Sequence, residues 1–295
     1  MLEGVFIAAV TPFRNQHVDE AAAARNFEIW NSTDVAGYLV LGSTGEFVHL
    51  MFAEKVEVIR LARKYAGPDK KLIAGIGCES VYETVRLAHE AEDLGADAVM
   101  AVTPHYYKPA LKPDVLRRYY LEIADQVDRP LYLYNIPQNT GVNLGVDLVR
   151  ELAQHPRIQG IKDSSGRLPQ LYDLLQIKGD FDVLNGNLFT LVPALMMGAQ
   201  GAVLAFANGP AQELAQVYRL VRQGKGTQAM QALLPIIRLG RASLDRYGIP
   251  GLKALMALMG YDPGEPRSPF RAVPEETVRE IARAYERFKA DLQQA

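Results

Sequence analysis

The chain has 295 residues, 48% of them hydrophobic and 22% charged, with a formal net charge of −2 at pH 7. That length suits one large barrel or two ordinary domains, and the near-neutral balance offers neither a basic face for nucleic acid nor an acidic tract of the disordered kind. The single cysteine, Cys78, excludes a disulfide framework and a four-cysteine zinc site.

The N-terminal MLEGVFIAAVTPF has an acid but no basic residue ahead of a short apolar run, which Pro12 and Arg14 soon interrupt. It reads as a buried strand over 4–10 and not as a signal peptide, so a cytoplasmic protein is expected. Further β-rich apolar runs follow at 37–42, 71–77, 97–102, 131–135, 158–163, 182–186 and 201–206. They carry few charges and no strict alternation, as strands covered on both faces do. Between them lie amphipathic stretches such as 52–67 and 81–95, each ending near a glycine or proline that can stop a helix. The longest apolar stretches, 36–42 and 201–207, are too short to cross a bilayer.

Eight strand–helix units with no linker between them predict a closed α/β barrel, a (β/α)8 TIM barrel, over an open doubly wound sheet. We place the barrel over 1–224. The remainder, 225–295, reads as a C-terminal helical extension packed on it, with helices over 227–248, 250–260 and 274–294.

In such a barrel, chemistry belongs where strands end and loops begin. Those ends carry Gly42-Ser43-Thr44-Gly45-Glu46, Thr103-Pro104-His105-Tyr106-Tyr107, Tyr134-Asn135-Ile136-Pro137 and Lys162-Asp163-Ser164. Lys162 ends a strand that points into the barrel. A free amine there can attack a ketone and form an imine, an electron sink for breaking or making a carbon–carbon bond. The competing reading is a strand-end lysine paired with Asp163 or another acid. The Tyr134 phenol, at a neighbouring strand end, suits the proton transfers that imine formation and aldol cleavage require, and Ser43 and Tyr106 can extend it into a relay. Gly42 and Gly45 let backbone N–H groups approach a carboxylate, although a tight turn needs the same glycines. Glu46 reads as structural, an acid favoured at a helix N-terminus.

Rival motifs are weak. Gly75 and Gly77 follow a strand, but Ser80 stands where a dinucleotide fingerprint needs its third glycine. Histidines 17, 49, 89, 105 and 155 are scattered, so no metal site is expected, and no other cofactor is implied. His105 reads as peripheral to the chemistry. No Gly-x-Ser-x-Gly elbow is present.

These strand ends resemble the dihydrodipicolinate synthase / N-acetylneuraminate lyase family of pyruvate-dependent class I aldolases. The likeness runs nearly end to end: Thr11-Pro12, GSTGE at 42–46, VTPHYY at 102–107, YNIP at 134–137, GIKDS at 160–164, GAV at 201–203, and in the tail IPGLK at 249–253, MGY at 259–261 and Arg267 with Pro269. It implies that Lys162 is the Schiff-base lysine and Tyr134 the proton-relaying phenol. Ser43 and Thr44 would hold the pyruvyl carboxylate, Ser43 also linking Tyr134 to Tyr106, with Gly45, Asn139, Ser164 and the backbone at Val203 completing the substrate site. Tyr106 would reach across a dimer interface into a neighbour's site, implying a homotetramer built as a dimer of dimers. The partners implied are pyruvate and an aldehyde.

Departures narrow the choice. Synthases of the family carry an arginine where this chain has Asn139, and without a guanidinium the bidentate grip on aspartate semialdehyde is lost. Sialate lyases follow the lysine with Gln-Thr where this chain has Asp163-Ser164. GSTGEF at 42–47, GCES at 77–80, PQNTG at 137–141 with KDSSG at 162–166, and the stretch 247–261 look closer to the 4-hydroxy-2-oxoglutarate aldolase branch, although that branch has asparagine at the position of Thr44. The expected reaction is therefore cleavage of 4-hydroxy-2-oxoglutarate to pyruvate and glyoxylate. The alternatives are dihydrodipicolinate synthase, a 2-keto-3-deoxy sugar acid aldolase or dehydratase, N-acetylneuraminate lyase, and a catalytically silent keto-acid-binding barrel.

Overall fold

The computed structural model describes residues 1–294. Eight parallel strands close into a barrel in chain order: β1 (Gly4–Ala8), β2 (Gly37–Val40), β3 (Lys71–Gly75), β4 (Ala98–Val102), β5 (Leu131–Asn135), β6 (Ile158–Asp163), β7 (Asp182–Asn185) and β8 (Gly201–Leu204). Each is followed by a helix: α1 (Glu20–Asn31), α2 (Phe52–Tyr65), α3 (Val81–Asp93), α4 (Pro113–Ala124), α5 (Val146–Leu152), α6 (Leu168–Leu175), α7 (Leu191–Met196) and α8 (Ala211–Arg222). Parallel neighbours need such crossovers, and the helices cover the outer faces of the strands. The expected (β/α)8 architecture is the one found.

Side-chain alternation splits each strand between two cores. Val5, Ile7, Leu131, Leu133 and Ile161 face outward into the large core under the helices, while Phe6, Ala8, Leu39, Ile73, Met100, Tyr132, Tyr134 and Leu184 fill the barrel interior. The strands are shorter at their C-terminal ends than the apolar runs suggested, because residues such as Ala9, Val10 and Phe206 leave the ladder for loops and turns while staying buried. A two-stranded hairpin, Phe13–Arg14 with His17–Val18, sits in the first loop. Its central residues Asn15 and Gln16 both have positive φ (51° and 68°), the combination a two-residue hairpin turn favours for its twist.

The C-terminal segment forms α9 (Gly226–Ala242), α10 (Leu244–Leu258) and α11 (Glu275–Gln294), which pack on one another, with α9 also lying against α7 and α8. The break expected near Gly248 falls instead at Ser243, whose hydroxyl bonds back to the Leu239 carbonyl. Gly248 is a kink inside α10 with φ 63° and ψ −152°, a conformation that disfavours any other residue. Among the described residues no helix is long and apolar enough to cross a membrane.

Candidate active site

The β5–β6 register sets Tyr134 directly opposite Lys162. Both side chains project inward at the C-terminal end of the barrel, and the Lys162 Nζ lies 4.0 Å from the centroid of the Tyr134 ring. Lys162 is only 3% exposed. The two line a cavity of about 470 Å³ together with Ser43, Thr44, Asn139, Ser164 and Val203, so the structure gathers seven of the nine residues expected at the site.

Asp163 does not pair with Lys162. Successive residues of a strand point to opposite faces, and Asp163 turns outward to accept hydrogen bonds from Asn135 Nδ2 (2.7 Å) and Ser165 Oγ (2.7 Å). Burial raises its carboxyl above the ordinary value, against the pull of those two donors. The lysine is left facing the phenol and the cavity.

Gly45 and Tyr106 do not join the cavity wall. Gly45 is packed behind it: its carbonyl accepts from Thr11 Oγ1 at 2.8 Å, and a Cβ on Gly45 would stand 3.1 Å from the Ala9 carbonyl oxygen. A close backbone approach accounts for this glycine. Tyr106 is 76% exposed, its ring set edge-on to Tyr107 with 5.0 Å between centroids. The Glu79 carboxylate accepts from the backbone N–H groups of His105 and Tyr106, which ties this loop to the turn that follows β3. Within one chain, then, the relay from Tyr134 through Ser43 to Tyr106 is not assembled. His105 lines an adjoining hollow with His49, Asn139 and Phe270.

Glu46 is structural, as expected, but not through a helix dipole. It joins two short 3₁₀ turns, Ser43–Gly45 and Phe47–His49, with φ 55° and ψ 33°. A left-handed non-glycine residue costs about 1 kcal/mol or more. Its buried carboxylate lies 2.8 Å from the Lys253 ammonium and accepts from the Arg267 backbone N–H at 2.9 Å. Desolvation holds the Lys253 ammonium below its ordinary value, while Glu46 opposes that shift.

Several lining residues escaped the sequence reading. Gly186 follows β7, and a Cβ there would fall 1.9 Å from Ser164 Oγ and 3.1 Å from Lys162 Cε, so only glycine leaves room for both. Asn187 and Phe189 continue that loop. Leu244, Asp245, Gly248 and Ile249 come from α10 and form the far wall, so the C-terminal helices shape the cavity as well as packing on the barrel. The strand-end rule applied to β7 finds the first pair, and the Gly248-Ile249-Pro250-Gly251 run marks a kinked helix. Helical periodicity carries no sign of which cavity such a helix covers.

A closed barrel that sets a buried lysine against a phenol at the mouth of the barrel fits a class I lyase, an enzyme that works through a Schiff base with pyruvate. The profile of the Dihydrodipicolinate synthetase family matches residues 1–287, and the chain belongs to that family. It is 34% identical over 283 residues to the 4-hydroxy-tetrahydrodipicolinate synthase of Thermodesulfovibrio yellowstonii, covering 96% of this chain and 97% of that protein. To the same enzyme of Geobacter sp. strain M21 it is 32% identical over 292 residues, covering 98% and 99%. Among solved structures it superposes on CdNal of Clostridium difficile in complex with mannosamine, with a TM-score of 0.93, 26% identity and coverage of 98% and 99%. The dihydrodipicolinate synthase of Thermotoga maritima gives 0.92, 26%, 98% and 99%. The relatives described here carry the synthase name or, for CdNal, a mannosamine complex; none is named a 4-hydroxy-2-oxoglutarate aldolase.

Proposed function

We propose that Lys162 captures pyruvate as an imine, that Tyr134 moves the protons, and that the enzyme reversibly cleaves a 4-hydroxy-2-oxo acid, 4-hydroxy-2-oxoglutarate being the first to test. The Lys162 amine adds to the C2 carbonyl and water leaves, giving the iminium. The 4-hydroxyl then loses its proton, the C3–C4 bond breaks, and its electrons pass into the iminium as an enamine while the aldehyde, glyoxylate, departs. Protonation at C3 and hydrolysis release pyruvate and restore the amine. The observation that carries this reading is the 4.0 Å approach of the Lys162 Nζ to the Tyr134 ring inside the cavity. Ser43 and Thr44, on the turn beside them, suit the pyruvyl carboxylate, with Val203 flanking it and Ser164 beside the lysine.

The same reading takes 1–224 as the catalytic barrel and 225–295 as its extension, and places the protein in the cytoplasm. It also makes the enzyme a homotetramer, a dimer of dimers in which the exposed Tyr106 completes a neighbour's relay. A second reading, condensation of pyruvate with aspartate semialdehyde, is favoured by the synthase names of the relatives. Against it stands Asn139, a carboxamide where a guanidinium would grip the second carboxylate.

Incubation with pyruvate and borohydride tests the imine: a reduced pyruvyl adduct is expected on Lys162, and an unmodified Lys162 overturns the reading. Pyruvate release from 4-hydroxy-2-oxoglutarate, 2-keto-3-deoxygluconate and N-acetylneuraminate, run beside the aspartate semialdehyde condensation, separates the substrates. A dehydratase would consume a sugar acid without releasing pyruvate.

A further inference from the structure

The turn that carries Ser43 and Thr44 is anchored from outside the barrel. It ends at Glu46, a residue 2% exposed whose carboxylate lies 2.8 Å from the Lys253 ammonium on α10. Lys253, 3% exposed, spends its other donors on the carbonyls of Thr11 (2.9 Å) and Glu265 (2.7 Å). The second oxygen of Glu46 accepts from the backbone of Arg267, whose guanidinium is gripped at both ends by Glu54 at 2.7 Å. Helix α10 therefore reaches both sides of the cavity, since Asp245 and Gly248 of the same helix line its far wall.

Burying an ion pair is a poor route to stability, because well-packed apolar residues of similar volume do as well or better. What a buried pair can do in some proteins is fix one geometry. Here the geometry fixed is a turn whose terminal residue stands in a left-handed conformation. That turn presents two hydroxyls to the cavity, and a displacement of about 1 Å at such a contact can cost ~10²-fold in rate.

We propose that Glu46 and Lys253 are positioning residues for the keto acid. Their buried pair pins the Ser43–Thr44 turn at the height from which it receives the pyruvyl carboxylate, and so ties pyruvate capture to the seating of α10. This rests on the reading of Ser43 and Thr44 as the carboxylate site.

The test is borohydride trapping of pyruvate on the full-length enzyme across a range of pyruvate concentrations, with KM and kcat measured in parallel. Glu46→Gln keeps the shape and the acceptor for Arg267 but removes the charge. The double variant Glu46→Gln/Lys253→Met leaves no unpaired buried charge, only the Thr11 and Glu265 carbonyls short of a donor, and serves as the second arm where the single change does not fold. Both are expected to raise the pyruvate concentration for half-maximal trapping by at least about tenfold, with a smaller change in kcat. Glu54→Gln, which loosens Arg267 without touching the turn, is expected to leave that concentration unchanged. A folded double variant that traps pyruvate at the wild-type concentration overturns the proposal. Wild-type enzyme that traps no pyruvate sinks the imine reading itself, a different result from trapping that is indifferent to Glu46.

Discussion

Lys162 and Asp163 are chain neighbours in opposite surroundings, and the pleat of β6 is the cause. One lies against a phenol at the cavity wall, while the other is sealed outside the barrel among the side-chain donors of Asn135, Ser165 and Gln170. Because desolvation raises the Asp163 carboxyl in the folded state, that state holds its proton to higher pH than the unfolded chain does. The associated stability is present in full below the unfolded pKa near 3.8 and is lost as pH rises through the folded value. Asp163→Asn cannot titrate, so wild-type stability should fall relative to this variant as pH rises from about 3.5 toward 7, read by urea unfolding at several pH values. A difference independent of pH would refute the assignment of burial as the cause. At the cavity's outer edge, Asn139→Arg restores a guanidinium to the helical turn Pro137–Thr140. If that missing group is what withholds aspartate semialdehyde, the variant should gain about tenfold or more in kcat/KM for the condensation, an interaction with an ion being worth ~1.5–3 kcal/mol. Wild-type condensation already at full rate would instead return the enzyme to the synthases.

At the scale of elements, the site depends on how closely β6 and β7 approach at their ends. Gly186 lies under Ser164 and Lys162 with no space for a methyl group. Gly186→Ala is expected to push the Ser164 hydroxyl and the lysine stem aside, lowering kcat by about 10²-fold while costing ~1–3 kcal/mol of stability as an overpacked contact. Steady-state kinetics and a melting curve check both, and a fully active variant would mean that the lysine is less tightly held than its surroundings imply. Such contacts explain what could be read from the chain and what could not. Ser43, Tyr134 and Lys162 were legible because a strand's end and its two-residue alternation are local properties. The direction of Tyr106 was not, because it is set by Glu79, 27 residues away. Nor was the partner of Glu46, which lies on a helix more than 200 residues further along the chain. Asp245 and Gly248 were missed for the same reason: an amphipathic helix declares that one face is covered, never what covers it.

On the whole molecule the barrel divides its labour between two ends, and β5 shows the division within three residues. Tyr132 and Tyr134 share the inward face. Tyr134 meets the lysine at the C-terminal mouth, whereas Tyr132 sits nearer the floor, where its hydroxyl donates to Asp182 at 2.5 Å. The same carboxylate oxygen accepts from the backbone N–H of Leu2, so this one acid fastens the first strand's entry to β5 and β7. Barrels of this type place chemistry at the C-terminal face and stability at the other. Removing one hydroxyl from each ring should therefore produce opposite losses. Tyr132→Phe leaves a buried carboxylate short of a donor and should cost ~1–3 kcal/mol of stability with kcat close to wild type. Tyr134→Phe should leave the melting temperature nearly unchanged and slow turnover by about 10²-fold or more, the scale of lost proton transfer. Were the two variants to lose stability and activity in the same proportion, Tyr134 would be no more than a second core tyrosine, and the proton chemistry assigned to it would have to lie elsewhere in the cavity.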